Sequence, residues 1–329
     1  MNKLNNINKN STIENAERRI DNNLKLDIKN YNKNSQFSYY ITGLIEGDSC
    51  IMVPYSAESK KKRYPVVKIT FAEKDFPLAY KLSLLIPFSK IYKEKGKYYN
   101  LTIYKLSTLF LIVYLINGKM RTPKIEALNR LIDWFNLNYN VNLDKFNLDT
   151  STLKNNAWLA GFLDCDSSFS CFYNLNNFGI AKDIHCYMSL SQRQIYKTKR
   201  NILNNDTNGS KKLDNNSYFN IMEKIKILFN VKGVRIIKRI RKNNIIELGY
   251  EIRTSKKESN ELLINYLNNF PLFSSKYLDF LDWKNILNIR NNRQYKENQG
   301  TNLLISLKSN MNNNRINFNW EHLDSFWKT

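Results

Sequence analysis

One short phrase is written twice in this chain. Residues 42 to 49 read Thr-Gly-Leu-Ile-Glu-Gly-Asp-Ser, and residues 160 to 167 read Ala-Gly-Phe-Leu-Asp-Cys-Asp-Ser. Each is small-Gly-apolar-apolar-acid-small-acid-Ser after an apolar approach: Tyr39, Tyr40 and Ile41 in the first, Trp158 and Leu159 in the second. The copies start about one domain length apart. A repeat of this kind restricts the chain to a duplicated fold in which each unit brings an equivalent helix and carboxylate. Gly43 and Gly47, like Gly161 and Cys165, are spaced to share a helix face, where small side chains let two helices approach closely. If those helices pair about a pseudo-twofold, Asp48 and Asp166 sit a few ångströms apart at ends rich in unpaired carbonyls. Such a place repels anions and suits Mg²⁺. Metal there can activate water and stabilise the leaving oxygen of a phosphodiester.

A second landmark supports duplication. Tyr114 and Lys124 stand in the same spacing as Tyr266 and Lys276, and each lysine follows small residues at a helix start, Thr122-Pro123 or Ser274-Ser275. Between phrase and lysine the second copy is longer, and the polar stretch Asn201 to Asn216 reads as an inserted loop.

The periodicity predicts αββαββα in each copy, with the last helix split in two. In the first, a helix over 35–46 carries the phrase, and strands follow at 50–55 and 64–71. In the second of these, Val67, Ile69 and Phe71 alternate with Val66, Lys68 and Thr70. Asp75 is placed to cap a helix to Ile86, with Pro77 in its first turn. Strands at 90–95 and 98–105 turn at Lys95-Gly96. Helices at 107–116 and about 123–138 close the unit. The second copy predicts a helix from 156, strands at 168–173 and 184–193, and a helix at 219–229. Strands at 234–241 and 245–254 follow, with helices at 257–268 and 274–289. The domain plan is a polar arm (1–35), a first unit (36–142), a linker (143–155), a second unit (156–290) and an extension (291–329). That extension has a low-complexity start and an aromatic end, Phe318, Trp320, Phe326 and Trp327, expected to pack back on the body.

Charge identifies the kind of partner. Fifty-one basic residues against 29 acidic ones leave a net +22, and the cations run through predicted strands rather than a tail. That pattern points to nucleic acid. Hydrophobic residues at 42% allow a large core, which excludes a disordered polyelectrolyte. Two histidines argue against His-metal nucleases and Ser-His or Cys-His triads. Cys50, Cys165, Cys171 and Cys186 form no C-x-x-C pair, so free, mostly buried thiols in a reducing compartment are expected, without a zinc site. The apolar run Leu109 to Ile116 is too short to span a bilayer. Abundant Asn, Lys, Ile, Tyr and Phe suit an A/T-rich genome such as an organelle's. Glu14, Glu17 and Asp21 do not fit an acid-poor transit peptide, so synthesis inside the organelle is expected.

With these residues assembled, the chain resembles the LAGLIDADG homing endonucleases in their double-motif, single-chain, organellar intron-encoded form, over roughly residues 36 to 290. Some relatives in that family are intron maturases. The resemblance implies an α+β fold of two pseudo-twofold αββαββα units, with motif helices paired at the interface and a saddle of antiparallel sheets over DNA. It implies Asp48 and Asp166 as metal ligands, with backbone carbonyls from Gly47 and Cys165 and two or three Mg²⁺ ions. Glu46 and Asp164 are expected to be structural. Lys124 and Lys276 match the family's basic residue near the cleavage centre, which can orient water or stabilise phosphate charge. Strand residues suited to DNA are Lys68, Thr70, Lys93, Lys95, Tyr99, Arg193, Arg235, Lys238, Arg239, Arg241 and Arg253. Only alternate ones can face the groove. The implied function is a monomeric, site-specific double-strand DNA endonuclease of the mitochondrial matrix. The alternatives are a group I intron maturase binding intron RNA, or a structural nucleic-acid-binding remnant.

One departure stands out: the family keeps Gly after the second acid, and here it is Ser49 and Ser167. Glycine suits a left-handed turn at a helix end, where serine costs on the order of 1 kcal/mol. A shift of about 1 Å in the neighbouring aspartate costs about a hundredfold in positioned catalysis. The departure therefore bears on cleavage rather than on fold.

Overall fold

A computed structural model describes residues 31–54, 64–96, 98–139, 141–196, 216–240 and 246–325. The chain divides into two compact units between Ser151 and Thr152. Most of the polar arm, nearly all of the inserted loop, and Phe326 and Trp327 lie outside the described residues.

In the first unit, α1 (Gln36–Asp48) carries the first phrase and runs directly into β1 (Ser49–Met52). Ser35 caps α1, its hydroxyl accepting the Ser38 N–H at 3.3 Å, which satisfies one of the donors a helix start leaves open. Then follow β2 (Val66–Ala72), α2 (Phe76–Leu85), β3 (Lys90–Glu94), β4 (Tyr98–Ile103), α3 (Leu106–Ile116) and α4 (Ile125–Tyr139). Asp75 stands at the cap position of α2, but its side chain does not make the capping bond; Pro77 in the first turn starts the helix. Gly96 turns β3 into β4 with φ +117°, a conformation L side chains avoid.

The sheet order is β1-β2-β4-β3, all antiparallel. Val67, Ile69 and Phe71 are buried against the helices. Lys68 and Thr70 point the other way, as period two requires. The linker is laid along this unit rather than hanging free. Asn117 Nδ2 donates to Asp144 O at 2.8 Å, Asn136 bonds the Leu143 backbone in both directions, and Arg121 grips Asp149 and Ser151.

The second unit repeats the order. It comprises α5 (Trp158–Asp166), β5 (Ser167–Leu175), β6 (Ala181–Arg193), α6 (Phe219–Leu228), β7 (Arg235–Ile240), β8 (Ile246–Thr254), α7 (Lys257–Asn269) and α8 (Lys276–Asn291). Its sheet order, β5-β6-β8-β7, matches the first. Register makes the equivalence exact in kind: Ser49 pairs with Ile69, and Ser167 with Leu190.

The extension departs from expectation. A further helix, α9 (Asn298–Ser309), forms where a low-complexity segment was read. It packs on α8, and the Thr301 hydroxyl ties it to Ala181 N at 3.0 Å and to Tyr295 O at 2.7 Å. Beyond it the aromatic end does fold back: His322 stacks on Tyr277 at 4.3 Å and on Trp320 at 5.4 Å. Arg315 reaches both Asp279 and Asp282 on α8.

Candidate active centre

Each motif helix ends at its second acid, Asp48 or Asp166. The serine that follows is extended in both copies, with φ −113° and ψ 164° at Ser49 and φ −90° and ψ 161° at Ser167. Neither is left-handed, so the strain anticipated for serine in place of glycine does not arise. The hydroxyls instead cap the helix: Ser49 Oγ donates to Ile45 O at 2.5 Å, and Ser167 Oγ to Leu163 O at 2.6 Å. The Ser49 bond falls on one of the carbonyls near a helix end, whereas Leu163 O takes the Ser167 N–H as well as its hydroxyl.

The first acids are structural, and the structure shows how. Glu46 accepts the backbone N–H of Arg121 and of Thr122. Asp164 accepts those of Phe273 and Ser274, together with the Ser274 hydroxyl. Each buried carboxylate thus holds the turn that opens the last helix of its unit. That turn delivers the matched lysine back to the motif helix. Lys124 Nζ donates to the carbonyls of Ile45, Gly47 and Ser49 at 2.9, 3.2 and 2.9 Å. Lys276 Nζ donates to those of Cys165 at 2.6 Å and Leu163 at 3.5 Å. A cation at a helix C-terminus is favoured by the macrodipole, so the spacing of acid and lysine along the chain records a closed circuit in space.

The tyrosine landmark is not symmetric. Tyr266 OH donates to Asn156 O at 2.9 Å and accepts the Ala160 N–H at 3.0 Å, pinning the start of α5. Tyr114 is half-exposed, with Lys33 Nζ 5.6 Å from its ring.

Sequence reasoning missed Gln192. Its side-chain amide donates to Asp166 Oδ2. It sits at the end of β6, and only register reveals that it reaches the motif acid. A small open cavity of about 80 Å³ lies beside this pair, with Arg193 and Arg239 among its lining residues.

The strand candidates divide by face. Directly opposed residues share a side, so Lys68 and Thr70, opposite Thr102 and Asn100, lie on the face away from the helices. Arg193, Arg235, Arg239 and Arg253 do likewise in the second sheet. There Arg253 and Arg235 both pair with Glu251, at 2.9 and 3.6 Å, and Arg253 lies 4.6 Å from the centre of the Tyr187 ring. Lys93 and Tyr99 oppose one another on the helix side, where Tyr99 meets Phe76 at 4.8 Å and Lys93 pairs with Glu73. Lys238 also falls on the helix side, aligned with Ile236 and Ile240. Lys95 is in the β3–β4 turn, and Arg241 lies outside the described residues.

All four cysteines are free. Cys171 and Cys186 are buried and face each other across β5 and β6 with sulfurs 2.9 Å apart. Burial pushes the Cys171 thiol well above its ordinary pKa. Cys50 is exposed and Cys165 half-buried, so the thiols are less uniformly interior than expected. Among the described residues no helix is long and apolar enough to cross a membrane.

Two αββαββα units, each with an acid-tipped helix capped by a lysine, define a two-motif LAGLIDADG architecture. The chain belongs to the LAGLIDADG endonuclease family, whose model matches residues 41–135 and 159–287. It is 34% identical to intron-encoded DNA endonuclease aI3 of Saccharomyces cerevisiae, over 97% of this chain and 77% of that protein. It is 23% identical to probable intron-encoded endonuclease 4 of Neurospora crassa, over 87% of this chain and 46% of that one. The fold is that of the homing endonuclease I-GzeII solved with its DNA target, at TM-score 0.59 and 16% identity, covering 85% of this chain and 99% of that one. The meganuclease I-SmaMI bound to uncleaveable DNA is similar at TM-score 0.59 and 17% identity, covering 85% and 98%.

Proposed function

We propose that this chain is a site-specific endonuclease for double-stranded DNA, acting as a monomer in the organelle whose intron encodes it. The observation that carries this reading is the intact pair of acid–lysine circuits, one per unit, beneath sheet faces that present Lys68, Thr70, Arg193, Arg235, Arg239 and Arg253. On the exposed strand faces, arginine suits bidentate contact with guanine, and lysine suits phosphate. One named relative is an intron-encoded DNA endonuclease and the other a probable intron-encoded endonuclease, and the similar solved structures hold DNA.

The donor set suits a hard divalent cation. Asp48 and Asp166 offer carboxylates, and Gly47 and Cys165 offer carbonyls with a second lone pair beyond the lysine bond. Among the described residues no group of three or more His, Cys, Asp or Glu gathers. So sparse a protein set fits Mg²⁺, which keeps waters and borrows phosphate oxygens. When bound, Mg²⁺ supplies an activated water and stabilises the leaving oxygen. The residues themselves do the holding: Gln192 orients the Asp166 carboxylate, and the two lysines keep each motif-helix end, and hence each acid, in place.

The test is incubation with duplex DNA spanning the intron-free junction of the host gene, with Mg²⁺ and separately with Ca²⁺. Cutting of both strands in Mg²⁺ alone, lost in Asp48→Asn and in Asp166→Asn, is the expected result. Tight binding with no cutting under any divalent ion overturns the reading.

A further inference from the structure

The C-terminal extension reaches the basic face of the second sheet. The match to the family ends at residue 287, and α9 lies beyond it. Thr301 ties this helix to Ala181 at the start of β6. Past the helix, Asn312 Nδ2 donates to Phe169 O at 2.9 Å, which covers part of β5, the edge strand of its sheet. Lys308, in the last turn of α9, is thereby set with its Nζ 5.8 Å from the centre of the Phe172 ring.

Register gives the side on which Phe172 lies. Ser170 opposes Tyr187, and Ser189 opposes Arg253. With a period of two, Phe172, Tyr187 and Arg253 share the face away from the helices. The Phe172 and Tyr187 rings stack at 6.0 Å and 21°, and the Arg253 guanidinium stands 4.6 Å from the Tyr187 ring. A row of cation, ring, ring and cation thus runs from α9 across β5, β6 and β8, with both cations inside the reach of about 6 Å at which a ring face attracts charge. Arg253 is engaged by Glu251, whereas Lys308 makes no ion pair among the described residues. Phe172 is held 55% exposed within this row. A fixed apolar ring on a basic sheet face suits the methyl group of thymine in the major groove, and a lysine beside it suits phosphate.

Resting on the endonuclease reading, we propose that the extension belongs to the DNA interface: Lys308 grips a backbone phosphate of the target, and Phe172, steadied by Tyr187, reads the methyl group of a neighbouring thymine. Uracil lacks that methyl, so the contact favours DNA over RNA.

The experiment is equilibrium binding of the full chain, in Ca²⁺ and over a range of salt, to a duplex spanning the intron-free junction. Lys308→Met should weaken every duplex alike and lower the slope of log affinity against log salt by about 0.9, the share of one phosphate. Lys308→Arg should restore the slope. Replacing the thymines one at a time by deoxyuridine should cost the parent about fourfold at one position, the worth of one buried methyl, and cost Phe172→Ala nothing there. Both variants should melt close to the parent. The proposal is overturned, and the endonuclease reading left standing, by any of three results: a Lys308→Met protein with the parent slope, a parent indifferent to every uracil, or a Phe172→Ala protein that keeps the uracil penalty. A parent that binds the junction no better than unrelated DNA overturns both.

Discussion

Glu46 and Arg121 are joined through the backbone: both carboxylate oxygens of Glu46 accept the Arg121 N–H, at 2.9 and 3.0 Å. One of them also takes the Thr122 N–H at 2.6 Å. The carboxylate is 1% exposed, so its charge is balanced by these donors rather than by water. Ser274 and Asp164 repeat the relationship in the second unit. In both, the first acid of the motif ties a distant turn to the motif helix.

Replacing Glu46 with Gln keeps the shape but turns an N–H₂ group toward backbone donors. A buried acceptor lost in this way costs about 2 kcal/mol. Glu46→Gln and Asp164→Asn should each lower the urea midpoint with little change in slope. Unchanged midpoints would show that these turns are held by packing alone.

The two lysines should separate in stability. Lys124→Met leaves the carbonyls of Ile45, Gly47 and Ser49 without that donor in a buried place, a loss of about 3 kcal/mol. Lys276→Met removes one short bond at a half-buried site and should cost about 1 kcal/mol. Thermal melting of the two variants checks the order; equal losses contradict it.

Much of this was legible in advance because the repeat forces the same local solution twice. Val67, Ile69 and Phe71 alternate cleanly, so the first sheet's buried face could be read directly from β2. Helix α9 was not legible. Its stretch is polar, with only Leu303, Leu304, Ile305 and Leu307 as apolar positions, and its helicity depends on seating against α8. Gly300 is needed for a different contact, with the turn that precedes the helix, since a Cβ there would lie 2.0 Å from Gln294 O. Gln192 was hidden for a different reason. Its link to Asp166 spans 26 residues and follows from strand pairing, which no local pattern encodes. Lys93 and Tyr99 were selected by residue type, while strand parity assigns them to the helix side of their sheet.

Lys119 offers a pH signature. Its ammonium is buried, donating to Leu115 O at 2.9 Å beneath the Tyr39 ring. Burial first, then the neighbouring Lys33 charge, lowers its pKa from 10.5 to about 8. The unfolded chain therefore binds more protons between those values, and stability rises with pH across that window. The gain is about 2 to 3 kcal/mol, complete above the unfolded pKa and absent below pH 8. Lys119→Met should flatten this rise. Melting at pH 7.5 and pH 10 in both proteins measures it, and parallel curves would exclude the lysine as the source.

Arg315 anchors the C-terminal fold-back. Its guanidinium contacts Asp279 at 3.1 Å and Asp282 at 2.5 Å, and Asp279 also accepts the Asn312 N–H at 2.9 Å. Both carboxylates are largely shielded from water, and burial already raises the Asp282 pKa. Arg315→Ala leaves two neighbouring acids without their cation, which costs about 3 kcal/mol at neutral pH. The sign with pH follows from linkage. Burial already makes the folded Asp282 carboxyl hold its proton more tightly than the unfolded one, and loss of the arginine removes the contact that opposes this, so the variant's stability falls as pH rises through that raised range. The variant should be closest to the parent near pH 4 and furthest from it at pH 7. Limited proteolysis should then cut first beyond Ser309. A deficit that is constant from pH 4 to 7 would assign Arg315 a packing role rather than an electrostatic one.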